Sequence, residues 1–227
     1  MSTFKGLIFD FNGTLFFDSR MHIEVFQRYF AKAGKEVPSA EYVVKNIFGK
    51  SNSGIYADHF AKDENDTAWE EFGEEKETAY RQLCLDNPEL MKYTDGAEEF
   101  LDYLKESGIP YALATGSGID NVSFYIENMG LDRWFDENNL VYADGSFSGK
   151  PAPDIYQIAA KRIGLDPSEC IVFEDGTSGI ISAQTAGAAV VCIYESDLPS
   201  PLTSGLSAEL IYHDFTKWKE ILRHFDI

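Results

Sequence analysis

Residues 5–11, Lys-Gly-Leu-Ile-Phe-Asp-Phe, form a nearly continuous apolar run that carries a carboxylate, Asp10, near its end. A strand with one wet face alternates apolar and polar residues. A strand covered by helices on both faces is apolar throughout. The run therefore predicts a central strand of a parallel sheet. The later chain repeats the pattern. Tyr111 to Thr115, Leu140 to Ala143, Cys170 to Phe173, Ala188 to Tyr194 and Glu209 to Tyr212 read as further strands. Between them lie predicted helices: one marked by Phe100, Leu101 and Leu104 and ended by Gly108, one through Tyr125, then Pro153 to Ile163, Ser178 to Ala186 and Thr216 to Phe225. Strands alternating with helices imply an α/β fold.

The alternation breaks after the first strand. His22, Val25, Phe26, Tyr29, Phe30 and Ala33 follow helical spacing, with Asp18 or Ser19 as candidate cap and Gly34 as candidate end. Ser39 to Leu85 stays helical in character. Within it, Asp63 to Glu77 holds eight acids and one lysine, which reads as a solvated helical face. The expected organisation is an α/β core built from 1–15 and 93–227, interrupted by an inserted helical domain at 16–92.

Hydrophobic residues make up 44% of the 227, enough to bury a core, so wholesale disorder is excluded. Lys plus Arg number 19 against 38 Asp plus Glu, a net charge of −19. That balance argues against nucleic acid as a partner, because a phosphate backbone needs clustered cations. A small anionic substrate held by local cations or a metal stays open. Cys84, Cys170 and Cys192 are too far apart for a CxxC site and read as buried reduced thiols. The first apolar run is too short for a signal peptide, and no stretch approaches the ~18 apolar residues of a membrane span. The expectation is a cytoplasmic protein with no membrane partner.

Three separated segments set polar groups just beyond predicted strands: Asp10-Phe11-Asn12-Gly13-Thr14, Thr115-Gly116-Ser117 and Glu174-Asp175-Gly176. Ligands of open parallel sheets bind beyond the carboxyl ends of the strands. If these strands are adjacent, Asp10, Glu174 and Asp175 converge and repel one another unless a cation bridges them. Mg²⁺ suits such a site, since it takes one or two carboxylates plus waters and phosphate oxygens. Lys150, Thr115 and the backbone N–H groups of the glycine turns are candidates to hold a phosphate.

With these segments in this order, the chain resembles the haloacid dehalogenase superfamily of aspartate-nucleophile phosphatases and phosphomutases. FDFNGTL is similar to the first motif, usually DxDGT; LATGS to the second; GKPAPDIY to the third; FEDGTSGI to the fourth. The inserted helices resemble the small cap of the β-phosphoglucomutase-like subgroup. The resemblance implies a Rossmann-like parallel sheet core with an inserted α-helical cap domain that moves as a lid. It implies Asp10 as nucleophile, Thr115 and Gly116 at the phosphoryl group, and Lys150 neutralising its charge. It also implies Mg²⁺ held by Asp10, Asp175 and the backbone carbonyl of Asn12, with Glu174 close by.

Asn12 departs from the motif. The family's usual second Asp protonates the leaving oxygen and activates water, and an amide does neither at neutral pH. Losing general acid–base help typically costs 10²–10⁴-fold. His22, where subgroup members often carry a histidine, is either a substitute proton carrier or an ordinary helix residue. Phe48-Gly49-Lys50-Ser51-Asn52 resembles the cap's specificity loop. The Schiff-base lysine of phosphonate-cleaving relatives aligns with Asn52, two residues beyond Lys50, which leaves Lys50 as a plain surface lysine, a substrate contact or, against that alignment, a Schiff-base former. Dehalogenation is disfavoured by the Glu174-Asp175 pair. The expected activity is Mg²⁺-dependent hydrolysis of a small phosphorylated metabolite, sugar phosphates included, with turnover weakened by Asn12. The alternatives are a non-catalytic binder of phosphorylated metabolites and a phosphomutase. The individual substrate and the oligomeric state are not legible.

Overall fold

The computed structural model describes residues 4–61, 66–202 and 205–227. It divides into two compact units, Asp18–Met91 and the remainder, Met1–Phe17 with Lys92–Ile227. Among the described residues the larger unit holds a six-stranded sheet: β1 (Gly6–Phe9), β2 (Tyr111–Thr115), β3 (Leu140–Tyr142), β4 (Cys170–Glu174), β5 (Ala189–Ile193) and β6 (Leu210–Tyr212). Every pairing is parallel, in the order β3-β2-β1-β4-β5-β6. The smaller unit carries α1 (Ser19–Lys32), α2 (Ala40–Asn46), α3 (Asn52–His59) and α4 (Trp69–Asp86). The sheet unit carries α5 (Ala97–Ser107), α6 (Ile119–Met129), α7 (Asp154–Arg162), α8 (Thr177–Ala186) and α9 (Trp218–His224). This is the Rossmann-like α/β fold expected.

The period of two along each strand sorts the core into two layers. On one face Phe9 stacks on Phe173 at 4.7 Å, and Phe100, Phe215 and Trp218 pack around them. On the other, Ile8, Ala112, Val172 and Val190 pack against Ile155, Tyr156 and Ile180 of α7 and α8. Fully burying a large apolar side chain contributes about 1.5–3 kcal/mol, so both layers add to the stability of the sheet.

The first strand is shorter than its apolar run. Asp10 N–H makes the last ladder bond, to Phe173 O at 3.0 Å, and the chain then closes on itself: the N–H groups of Thr14 and Phe16 both donate to the Phe11 carbonyl, at 3.2 and 3.0 Å. Where the chain departs for the helical unit and returns, Phe16 pairs with Tyr93 in an isolated antiparallel bridge. Thr94 fastens this crossing, its N–H donating to Leu15 O (2.8 Å) and its hydroxyl to Thr14 O (2.7 Å).

In the helical unit, α1 starts at Ser19 rather than His22. Asp18 stands at the N-cap position, but its carboxylate makes no cap bond. It accepts instead from the Tyr80 hydroxyl at 2.5 Å and lies 3.2 Å from His22 Nε2, because a buried carboxylate gains more from those donors than from the helix end. Ser39 and Ser51 do cap α2 and α3, accepting from the N–H of Tyr42 and Gly54 at 3.1 Å each. Of the acidic run, Asp63 and Glu64 lie outside the described residues. Glu70, Glu71, Glu74 and Glu75 are exposed along α4, while the run's one cation, Lys76, is buried beside the Phe26 ring.

Candidate active site

With the strand order β3-β2-β1-β4-β5-β6, connections turn in opposite directions from β1 and β4, the switch point beyond whose carboxyl ends ligands of open α/β sheets bind. Asp10 directly follows β1 and Glu174 closes β4. Phe9 pairs with Phe173, so the next residues, Asp10 and Glu174, fall side by side on the face of Ile8 and Val172. Asp10 is 6% exposed and Glu174 2%. Ligand atoms of Asp10, Glu174 and Asp175 all lie within 4.8 Å of one another.

Lys150 enters this cluster from the loop before α7. Its Nζ donates to Asp10 Oδ1 at 2.5 Å and Glu174 Oε1 at 2.6 Å, with 12% of the side chain exposed. Burial alone would lower its pKa, but the two adjoining carboxylates outweigh that and raise it above the ordinary lysine value. Lys150 is thus a fixed ammonium.

Glu174 is saturated. Oε1 accepts from Lys150 and from the Tyr156 hydroxyl (2.7 Å); Oε2 accepts from the N–H groups of Asp175 and Gly176, both at 2.9 Å. These fill the four acceptor positions of a carboxylate. Burial, reinforced by the Glu174 charge, pushes the Tyr156 phenol well above its ordinary pKa, so it stays a donor. Two glycines make room. A Cβ on Gly179 would stand 1.7 Å from Glu174 Oε1, and one on Gly13, whose φ is +79°, 2.1 Å from Asp175 Oδ2.

Thr115 ends β2, buried, its hydroxyl accepting from Ser117 N at 3.1 Å; Gly116 is exposed beside it. Ser117 reaches Asn12. The Asn12 amide is spanned by two hydroxyls: Oδ1 accepts from Ser117 Oγ and Nδ2 donates to Tyr125 Oη, each at 2.8 Å. Asp10, Asn12, Thr115, Gly116, Lys150, Glu174 and Asp175 all belong to the sheet unit.

His22, Lys50 and Asn52 belong to the helical unit. The His22 ring stacks on Tyr80 at 4.1 Å, against Asp18. Lys50 is exposed and donates to Asp58 at 2.8 Å. Asn52 begins α3 with its amide against Gly73 of α4. Sequence reasoning gave no role to Tyr156 or Tyr125. Both sit at helical spacing among core residues, so only the tyrosine hydroxyl, superfluous for packing, could have signalled them.

Three carboxylates against one ammonium leave an excess of negative charge in a largely buried cluster. That donor set fits a hard divalent cation. Asp10 and Asp175 match the one or two carboxylates Mg²⁺ takes, whereas Glu174 is committed to protein donors.

A family model described as haloacid dehalogenase-like hydrolase matches residues 4–187. The "Probable pseudouridine-5'-phosphatase" of Drosophila melanogaster is 30% identical over 202 residues, 87% of this chain and 84% of that one. Hexitol phosphatase A of Escherichia coli is 31% identical over 83% of this chain and 82% of that one. Among solved structures, a HAD hydrolase, family IA, variant 3, from Entamoeba histolytica superposes with a TM-score of 0.86 at 33% identity. The match covers 98% of this chain and all of that one.

Proposed function

The chain belongs to the haloacid dehalogenase-like hydrolases, and from that premise we propose that it is a Mg²⁺-dependent phosphohydrolase of small phosphorylated metabolites, sugar phosphates among them. One observation carries the reading: Asp10 and Lys150 meet at 2.5 Å beside Asp175, where the strand connections diverge. A nucleophile, a cation and a carboxylate pair in one cluster are the parts phosphoryl transfer needs. Relatives named for hexitol and pseudouridine phosphates support a polyhydroxylated leaving group.

Asp10 attacks phosphorus. An aspartyl–phosphate bond forms as the ester P–O bond breaks, and the alcohol oxygen leaves with the electron pair. Water then attacks the acyl phosphate, regenerating Asp10 and releasing inorganic phosphate. Lys150 and the Thr115 hydroxyl, with the Gly116 N–H, hold the phosphoryl oxygens. Asp10, Asp175 and the Asn12 carbonyl would hold Mg²⁺, which would supply positive charge to offset that of the phosphoryl group. Asn12 donates a hydrogen bond but neither gives nor takes a proton, so both half-reactions run without strong acid–base help. The helical unit, Asp18–Met91, acts in this reading as the cap that excludes water, and His22, Lys50 and Asn52 are its candidate substrate contacts.

The deciding experiment is phosphate release across a panel of phosphoesters with and without Mg²⁺. Release that needs Mg²⁺, vanishes in Asp10→Asn and shows weakened Mg²⁺ dependence in Asp175→Ala supports the reading. Asn12 specifically favours a second one, a binder of phosphorylated metabolites without turnover. Tight binding of those esters with no release would establish it instead.

A further inference from the structure

We propose that Tyr156 is a positioning residue for Lys150, keeping its ammonium shared between Asp10 and Glu174. The inference rests on the reading of Lys150 as the cation that meets the phosphoryl group. Tyr156 reaches Lys150 in two ways. Its ring lies beneath the ammonium, with Nζ 5.0 Å from the ring centroid. Its hydroxyl donates 2.7 Å to Glu174 Oε1, the same oxygen that accepts Lys150 at 2.6 Å.

Two donors on one oxygen divide its charge. With the hydroxyl in place, Oε1 is partly neutralised and Lys150 keeps its second bond, 2.5 Å to Asp10. Without it, Oε1 turns its whole charge on the ammonium and draws it away from Asp10. Packing alone does not require the hydroxyl. Tyr156 is fully buried in the layer of Ile155, Ala159, Ala160 and Ile180, where phenylalanine would fill the same space. A phenol placed in such a layer must find a partner, and here that partner is the carboxylate which fixes Lys150.

The test reads Lys150 directly. In protein labelled with ¹⁵N-lysine, the Lys150 ammonium signal is identified by its loss in Lys150→Met. In Tyr156→Phe its exchange with solvent should quicken about tenfold, the scale of one hydrogen bond to a charged group, while other lysines keep their rates. Turnover of p-nitrophenyl phosphate should fall by about the same factor in kcat with KM little changed, as for a contact used in the transition state. A second measurement needs no variant: the Tyr156 hydroxyl proton should show a cross-peak to the Lys150 ammonium. Unchanged exchange in Tyr156→Phe, equal acceleration at all lysines, or no cross-peak would overturn the proposal. Failure of the phosphohydrolase reading is separate: it would appear as no phosphate release by the unsubstituted protein, with the spectra still deciding the role of Tyr156.

Discussion

Replacing Asn12 by Asp should raise turnover, and the structure narrows by how much. General acid–base assistance is worth 10²–10⁴-fold in the usual case. At position 12 the side chain is flanked by Ser117 Oγ and Tyr125 Oη, each 2.8 Å away. Asn12 uses one as donor and one as acceptor; a carboxylate would turn both into donors. Hydrogen bonds to the charged form favour it, so the introduced carboxyl group would be a better base than acid. The gain should therefore sit near the lower end, about 10²-fold, or about 2.7 kcal/mol of barrier. It should appear chiefly in hydrolysis of the aspartyl-phosphate. Rapid-quench kinetics check this with two ester classes. The unsubstituted protein should show a burst of one equivalent of alcohol from an aryl phosphate, then slow turnover; Asn12→Asp should abolish the burst by speeding the second step. Alkyl phosphates, whose leaving oxygen needs a proton, should be turned over more slowly by both proteins. No gain in Asn12→Asp with any phosphoester that the protein binds would refute the argument and favour the binder.

Three further outcomes follow from the geometry. Gly179→Ala puts a methyl 1.7 Å from Glu174 Oε1, so it should displace Glu174 and Lys150 together, cutting kcat at least ~10-fold and destabilising by roughly 1–3 kcal/mol as in other overpacked sites; wild-type kinetics and urea midpoint would contradict this. Burial pushes the Cys84, Cys170 and Cys192 thiols each up to about 12. Unfolded thiols ionise near ~8.5, so the folded state binds more protons above that pH, and stability that is complete below it is lost as pH climbs towards 12. The urea midpoint should fall between pH 7.5 and 9.5 by an amount that shrinks when the three are changed to alanine or valine. Small-angle scattering with Mg²⁺ and a phosphate mimic should show compaction if the helical unit closes as a cap; superimposable profiles would count against that role.

What could be read from the sequence follows from where the side chains' constraints lie. β1, β4 and β5 are covered by helices on both faces, so each is an uninterrupted apolar run, and Asp10 and Glu174 stand out as the carboxylates that end two of them. Strand ends were less legible, because Phe11 continues the apolar run in sequence while its carbonyl already closes the turn, accepting from the N–H groups of Thr14 and Phe16. The motif residues Thr115 and Lys150 were legible from their order along the chain. Tyr156, Tyr125 and Ser117 were not given roles, since their meaning depends on which distant atom they meet. The same holds for Asp18: a short acid before a helix looks like a cap, and only the fold brings Tyr80, 62 residues later, within 2.5 Å of it.

The Thr94 fastening bears on how such a chain can diversify. Thr14, Leu15 and Phe16 are tied to Tyr93 and Thr94 by a bridge and two hydrogen bonds, so the two ends of the inserted segment are already held together by the sheet unit. Whatever lies between them is a closed loop whose ends need no further alignment. For such a loop, each doubling of length adds only ~0.6 kcal/mol of closure entropy. Helices could be added to, trimmed from or exchanged within the 18–91 segment at little cost to the sheet. The helical segment could then change while the Asp10, Lys150 and Glu174 cluster of the sheet unit stays where it is.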